Sequence, residues 1–178
     1  SDVYKRQDYA DIPVNKDGDY QQLNDAILQI ENEFYGTIRP KRSAASGERP
    51  LAALGKSGVE YVEVRCVDLD PFEPIGINSE QIRFLDTFLL LCLLTESPTD
   101  SREESARMVR NQTVVVERGR QPGLVLERDT ESVDLGQWAT ELLDQCTYIA
   151  EVLDRHAAND FYSQTLAAQK AKVKDPES

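Results

Sequence analysis

Apolar residues recur at helical spacing in three stretches of the chain. Tyr20, Leu23, Ile27, Ile30 and Phe34 stand three and four apart, which predicts an amphipathic helix with Asp17 or Asp19 as its cap. Asn78 or Ser79 opens a strongly apolar helix running to about Thr95, with Pro98 just beyond it. Its run from Phe88 to Leu94 reads as buried helix, because seven residues fall far short of the ~20 that a bilayer span needs. Leu135, Trp138, Leu142, Cys146, Ile149 and Leu153 form the third stripe, and Asp134 with Gln137 resembles a capping box. A last helix is expected over Phe161 to Lys172, and the tail KDPES is expected to be disordered.

Between these stripes the period changes to two. GVEYVEVRCVDLD, residues 58 to 70, reads as a strand, with Val59, Tyr61, Glu63, Arg65 and Val67 on one face and Val62, Val64 and Cys66 on the other. TVVVERGRQPGLVLE, residues 113 to 127, suggests two short strands joined around Gly119 to Gly123. Pro40 is expected to stop regular structure, and residues 43 to 58, rich in small residues and breakers, read as a mobile surface loop. Residues 8 to 19 read as loop or edge structure. Helices and strands in mixed order, without a βαβ rhythm, give the class α+β with antiparallel pairing.

Composition narrows the function classes. At 178 residues the chain can bury one real core, and 40% hydrophobic with 29% charged residues is ordinary for a globular protein. A net charge of −12 argues against nucleic acid and anionic membrane as partners. The opening SDVYKRQDYADIP has no apolar stretch, so no signal peptide is expected. Cys66, Cys92 and Cys146 are scattered, with no CxxC, which fits reduced thiols in the cytoplasm acting as three small core residues rather than as a zinc site.

Glu63 and Arg65 share one face of the expected strand, where an acid and an arginine are costly unless paired or used. The residues alone leave two readings open. One is a simple ion pair or a sheet face open to water. The other is a carboxylate that binds Mg²⁺ beside a cation that meets phosphate. The basic segment IRPKR, with Arg39, Lys41 and Arg42, is either a solvated loop or a landing site for phosphate or carboxylate. No GxxxxGK[ST] loop, GxGxxG fingerprint or GxSxG elbow occurs.

Several segments in order resemble the bacterial single-function glutamate–cysteine ligase family: DIPVNKDGDYQQL, LQIENEFYGTIRPKR, GVEYVEVRCVDLDPFEPIGI, QIRFLDTFLLLCLL and GRQPGL. The resemblance implies part of a glutamine-synthetase-like catalytic domain, in which an antiparallel sheet floors the active site. It implies ATP-dependent joining of L-glutamate to L-cysteine, with Mg²⁺ (or Mn²⁺) bridging carboxylates and triphosphate. It further implies that Glu63 is a metal ligand, that Arg65 contacts the transferring phosphate, and that Tyr35 lines the cysteine pocket. Arg39 and Arg42 fall in a family motif near the substrates. Members of the family are much longer, so residues 8 to 178 are expected to be the C-terminal part of the catalytic domain, lacking an N-terminal half. Residues 1 to 7, SDVYKRQ, do not fit the family and read as a non-native or misassembled leader. The competing expectations are a related carboxylate–amine ligase that uses another amine, and a non-catalytic interaction module.

Overall fold

The computed structural model describes residues 13–23, 36–97, 99 and 101–175. The chain forms two compact units, residues 1–68 and 69–178. The leader expected at residues 1–7, most of the helix expected over Tyr20 to Phe34, Tyr35 and the last three residues lie outside the described residues.

In the first unit, β1 (Asn15–Lys16) and β2 (Asp19–Tyr20) form a two-residue ladder turned by Asp17 and Gly18, both at positive φ. Tyr20 therefore sits in a strand, exposed, and not at the head of a helix. β3 (Ile38–Lys41) pairs antiparallel with β4 (Tyr61–Val64), placing Ile38 opposite Val64, Arg39 opposite Glu63, Pro40 opposite Val62 and Lys41 opposite Tyr61. The expected strand over residues 58 to 70 thus contracts to four residues.

Pro40 does not stop β3, for a geometric reason. The Arg65 N–H donates to the Thr37 carbonyl at 2.7 Å. Alternation along the ladder then puts position 40 where a backbone N–H would point away from β4, so proline costs no ladder bond. The segment expected as a mobile loop contains α1 (Pro50–Ser57), which starts with proline in its first turn and buries Ala53.

The second unit is mainly helical. α2 (Ser79–Leu94) opens with a complete capping box: the Gln81 N–H donates to Asn78 Oδ1 and the Asn78 N–H to Gln81 Oε1, each at 2.9 Å. α4 (Leu135–Ala157) and α5 (Phe161–Lys174) pack with α2 around Leu143, Cys146, Ala150 and Leu166, closed in by Phe84, Phe88, Leu91, Tyr162 and Val173. Only one face of α2 enters this core. Leu93 and Leu94, expected to be buried, are 76% and 73% exposed: Leu93 falls on the other face, and Leu94 is the last residue of the helix. Cys146 is the core thiol expected, whereas Cys66 and Cys92 are exposed, so the expectation of three core cysteines holds for one.

Residues 113 to 118 belong to α3 (Arg102–Arg118) and not to a strand. Ser101 caps this helix, Glu103 and Glu104 occupy its first turn and Arg118 its last, an order that suits the helix dipole. Asn111 fixes α3 to the next strand: its side chain donates to the Glu127 carbonyl at 2.7 Å and accepts the Glu127 N–H at 2.9 Å. Local β-propensity of the three valines yields to these contacts. The hairpin comes later, as β5 (Val125–Arg128) against β6 (Glu131–Asp134), with Leu126 and Val133 buried. Asp134 then caps α4 by accepting the Gln137 N–H at 3.0 Å. No helix among the described residues is long and apolar enough to cross a membrane.

Candidate functional site

The β3–β4 pair presents two unlike faces. Directly opposed residues project to the same side of a sheet. Arg39, Lys41, Tyr61, Glu63 and Arg65 therefore share one face, while Ile38, Pro40, Val62 and Val64 share the other. An acidic chain has here gathered three cations around one carboxylate.

Glu63 is the centre of this face. Its Oε1 accepts from Arg65 Nε at 2.8 Å, and its Oε2 lies 3.2 Å from Lys41 Nζ. Its side chain is 34% exposed, so the cluster stays open to solvent. The hydrogen bond from Arg65, then that from Lys41, holds the Glu63 carboxyl below the usual carboxylate range. Both contacts favour the anionic form of Glu63. Arg65 meets it with one nitrogen only, through Nε. A guanidinium has five N–H donors, so most of the fork remains available to a further oxyanion.

The basic segment divides by strand parity and position. Arg39 stands across from Glu63 and is half-buried. Arg42 turns elsewhere: its Nη1 donates to the carbonyls of Ser57 at 2.9 Å and Gly58 at 3.0 Å, at the C-terminal end of α1. Those carbonyls have no partner within the helix, and a guanidinium there satisfies them and suits the dipole. Tyr35 lies outside the described residues. The structure therefore brings Glu63, Arg65 and Arg39 onto one face and ties Arg42 to a helix end. Lys41, named in the basic segment, is here also a direct partner of Glu63, which the sequence reading did not connect. The signal was present, since residues 39 and 41 alternate like residues 63 and 65, but Pro40 argued against a strand.

No group of three histidine, cysteine, aspartate or glutamate side chains that could hold a metal occurs among the described residues. Glu63 is nonetheless the right kind of donor for Mg²⁺, a hard carboxylate oxygen at an open surface. Lys41 already sets a cation against Oε2. The donor chemistry fits one ligand of a larger set.

Comparison with known proteins gives first the class. The α+β arrangement matches a crystal structure of glutamate–cysteine ligase from Francisella tularensis in complex with AMP, with TM-score 0.75 and 39% identity over 92% of this chain and 32% of that one. The fold is therefore part of a glutamine-synthetase-like ligase domain. A family model described as glutamate–cysteine ligase matches residues 3–115, and the chain belongs to that family. Among curated relatives, the glutamate–cysteine ligase of Azotobacter vinelandii is 52% identical over 169 residues, covering 95% of this chain and 32% of the relative. That of Pseudomonas fluorescens Pf-5 is 48% identical, over 94% of this chain and 31% of the relative. The chain thus spans about a third of the length of the curated relatives it matches.

Proposed function

We propose that this chain is part of an ATP-dependent ligase that joins the γ-carboxylate of L-glutamate to the amine of L-cysteine, the first step of glutathione biosynthesis, in the cytoplasm. The observation that carries the reading is the Glu63–Arg65 pair on an open sheet face, inside the segment matched by the family. In the first step a γ-carboxylate oxygen attacks the γ-phosphorus of ATP, giving γ-glutamyl phosphate and ADP. In the second the cysteine amine attacks the acyl carbon, the C–O bond to phosphate breaks, and γ-glutamylcysteine, phosphate and a proton are released.

Each residue has a part in this scheme. Arg65 offers its free guanidinium N–H groups to the transferring phosphate, where charge spreads over the equatorial oxygens. Glu63 would supply one carboxylate oxygen to Mg²⁺ or Mn²⁺, whose chemistry there would be to neutralise the charge of the triphosphate. Glu63 also fixes the Arg65 side chain through Nε. Arg39 and Tyr35 bind substrate, Tyr35 at the cysteine pocket. Arg42 buttresses the end of α1.

One carboxylate cannot hold Mg²⁺–ATP and two reactants in line, and alignment supplies much of the rate in such reactions. The isolated chain is therefore inactive, and the remaining length seen in the relatives completes the site. Mg²⁺–ATP binding tests the reading in a polypeptide that joins this chain to the part of the Azotobacter vinelandii relative it leaves uncovered. Arg65→Ala abolishes that binding if Arg65 meets phosphate. Unchanged binding refutes the role.

A further inference from the structure

Lys41 has a place in the cluster that neither a structural ion pair nor the roles above use up. Both oxygens of Glu63 are taken, Oε1 by Arg65 and Oε2 by Lys41. The two cations differ in mobility. Arg65 is two residues further along the chain, just past the end of β4, and engages through a planar, pre-organised guanidinium. Lys41 reaches across from β3 on a flexible four-carbon stem, and its side chain is 34% exposed. An oxygen of Glu63 can bind a divalent cation only at ~2.0–2.6 Å, and an ammonium cannot stay beside a dication at that range. Of the two, Lys41 is the one free to leave.

Its alternatives on the sheet are few. The other charged side chains on that face, Arg39 and Arg65, are cations. Glu60 follows the opposite parity from Tyr61, and its Oε2 accepts the Ser43 N–H at 3.0 Å. A Lys41 ammonium released from Glu63 therefore needs an anion from outside the sheet. An incoming phosphate group brings both the negative charge and the oxygen acceptors.

We propose that Lys41 is a partner-exchanging phosphate ligand: it holds Glu63 Oε2 before metal and nucleotide arrive, then releases it and binds a phosphate oxygen beside Arg65. The inference rests on the proposed ligase function and adds to it a third cation, with a built-in order of events. The metal-free carboxylate is kept aimed and neutralised, and the same charge passes to the nucleotide.

The test uses the polypeptide that joins this chain to the uncovered part of the Azotobacter vinelandii relative. Mn²⁺ binding is followed by electron paramagnetic resonance without nucleotide, and ATP binding by calorimetry with Mn²⁺ present. Lys41→Met removes a competitor for Oε2, so Mn²⁺ alone binds roughly twofold to fivefold tighter, the range of an exposed ion pair. The same variant loses a charged contact to phosphate, so ATP binds roughly tenfold weaker or worse. These opposite signs are the signature of exchange. Movement of both affinities in one direction, or of neither, overturns the inference. Lys41→Gln carries the same two measurements if Lys41→Met does not fold. If the unsubstituted polypeptide, shown to be folded, binds no Mg²⁺–ATP, the ligase reading itself fails and takes this inference with it.

Discussion

Arg39 and Glu63 face each other directly across the β3–β4 ladder, so one residue of the basic segment and the central carboxylate share a sheet face although 24 positions separate them in sequence. The pairing sorts the cations of residues 38 to 42 into two kinds. Those at odd positions up to Lys41 join the carboxylate, and Arg42, just past the strand, caps a helix.

Arg42 is expected to act on stability and not on ligand contact. Arg42→Ala leaves the carbonyls of Ser57 and Gly58 without their donor. The site is exposed, so water replaces part of the loss, and the expected cost is about 0.5–1 kcal/mol. Chemical denaturation checks it. In the joined polypeptide, ATP affinity should stay within about twofold, since 0.5 kcal/mol is roughly that factor. A tenfold loss of ATP affinity with unchanged stability would return Arg42 to the substrate site.

Asp154 sets an acid limit on the helical unit. It is 7% exposed and accepts the N–H groups of Tyr162 at 2.8 Å and Ser163 at 2.9 Å, capping α5. Burial pushes its carboxyl up, but the hydrogen bonds from the Ser163 side chain and from the Tyr162 and Ser163 amides outweigh it, and the net shift is downward. A depressed folded value means stabilisation that is complete above the unfolded value near pH 4 and lost as pH falls through the folded one. Asp154→Asn should lower stability at pH 7 by about 1–2 kcal/mol, the size of a lost cap. It should also flatten the fall in stability below pH 4, measured by denaturation across pH 2 to 7. An unchanged acid slope would show that other carboxylates set the limit.

The thiols should react in order of exposure. Cys66 and Cys92 are exposed and Cys146 is fully buried, and burial pushes the Cys92 and Cys146 thiols up, away from the reactive thiolate. A thiol reagent at neutral pH should label Cys66 first and Cys146 only on unfolding. Cys146→Ser, which puts a hydroxyl among Leu143, Ala150 and Leu166, should cost about 1–3 kcal/mol. Native-state labelling of Cys146 would contradict this core.

Much of the helical part was legible in the chain because its signals are local. The caps at Asn78 and Asp134 and the stripe from Leu135 to Leu153 point to α2 and α4 without any tertiary information. The failures arose where a distant contact decides. Three valines at 114 to 116 read as strand, yet Asn111 and Arg110 bind Glu127 and keep α3 helical past them. Pro40 read as a stop, and only the register with Val62 shows that its missing N–H is harmless. Glu63 and Arg65 could be placed on one face from parity alone. Parity alone also puts Lys41 on one face with Arg39, but only the register with β4 shows that this face is the one carrying Glu63.

The cluster on β3 and β4 is claimed to be part of a ligase site, and the most direct measurement is ADP release. This chain would be combined with the part of the Azotobacter vinelandii relative it leaves uncovered, and supplied with glutamate and Mg²⁺–ATP, with and without cysteine. Cysteine-stimulated ADP release is expected from the pair, none from either portion alone, and a loss of at least about a hundredfold in rate on Arg65→Ala, the scale of removing one donor to a developing charge. No turnover from a mixture shown to be folded and associated, or full turnover with Arg65→Ala, would contradict the claim.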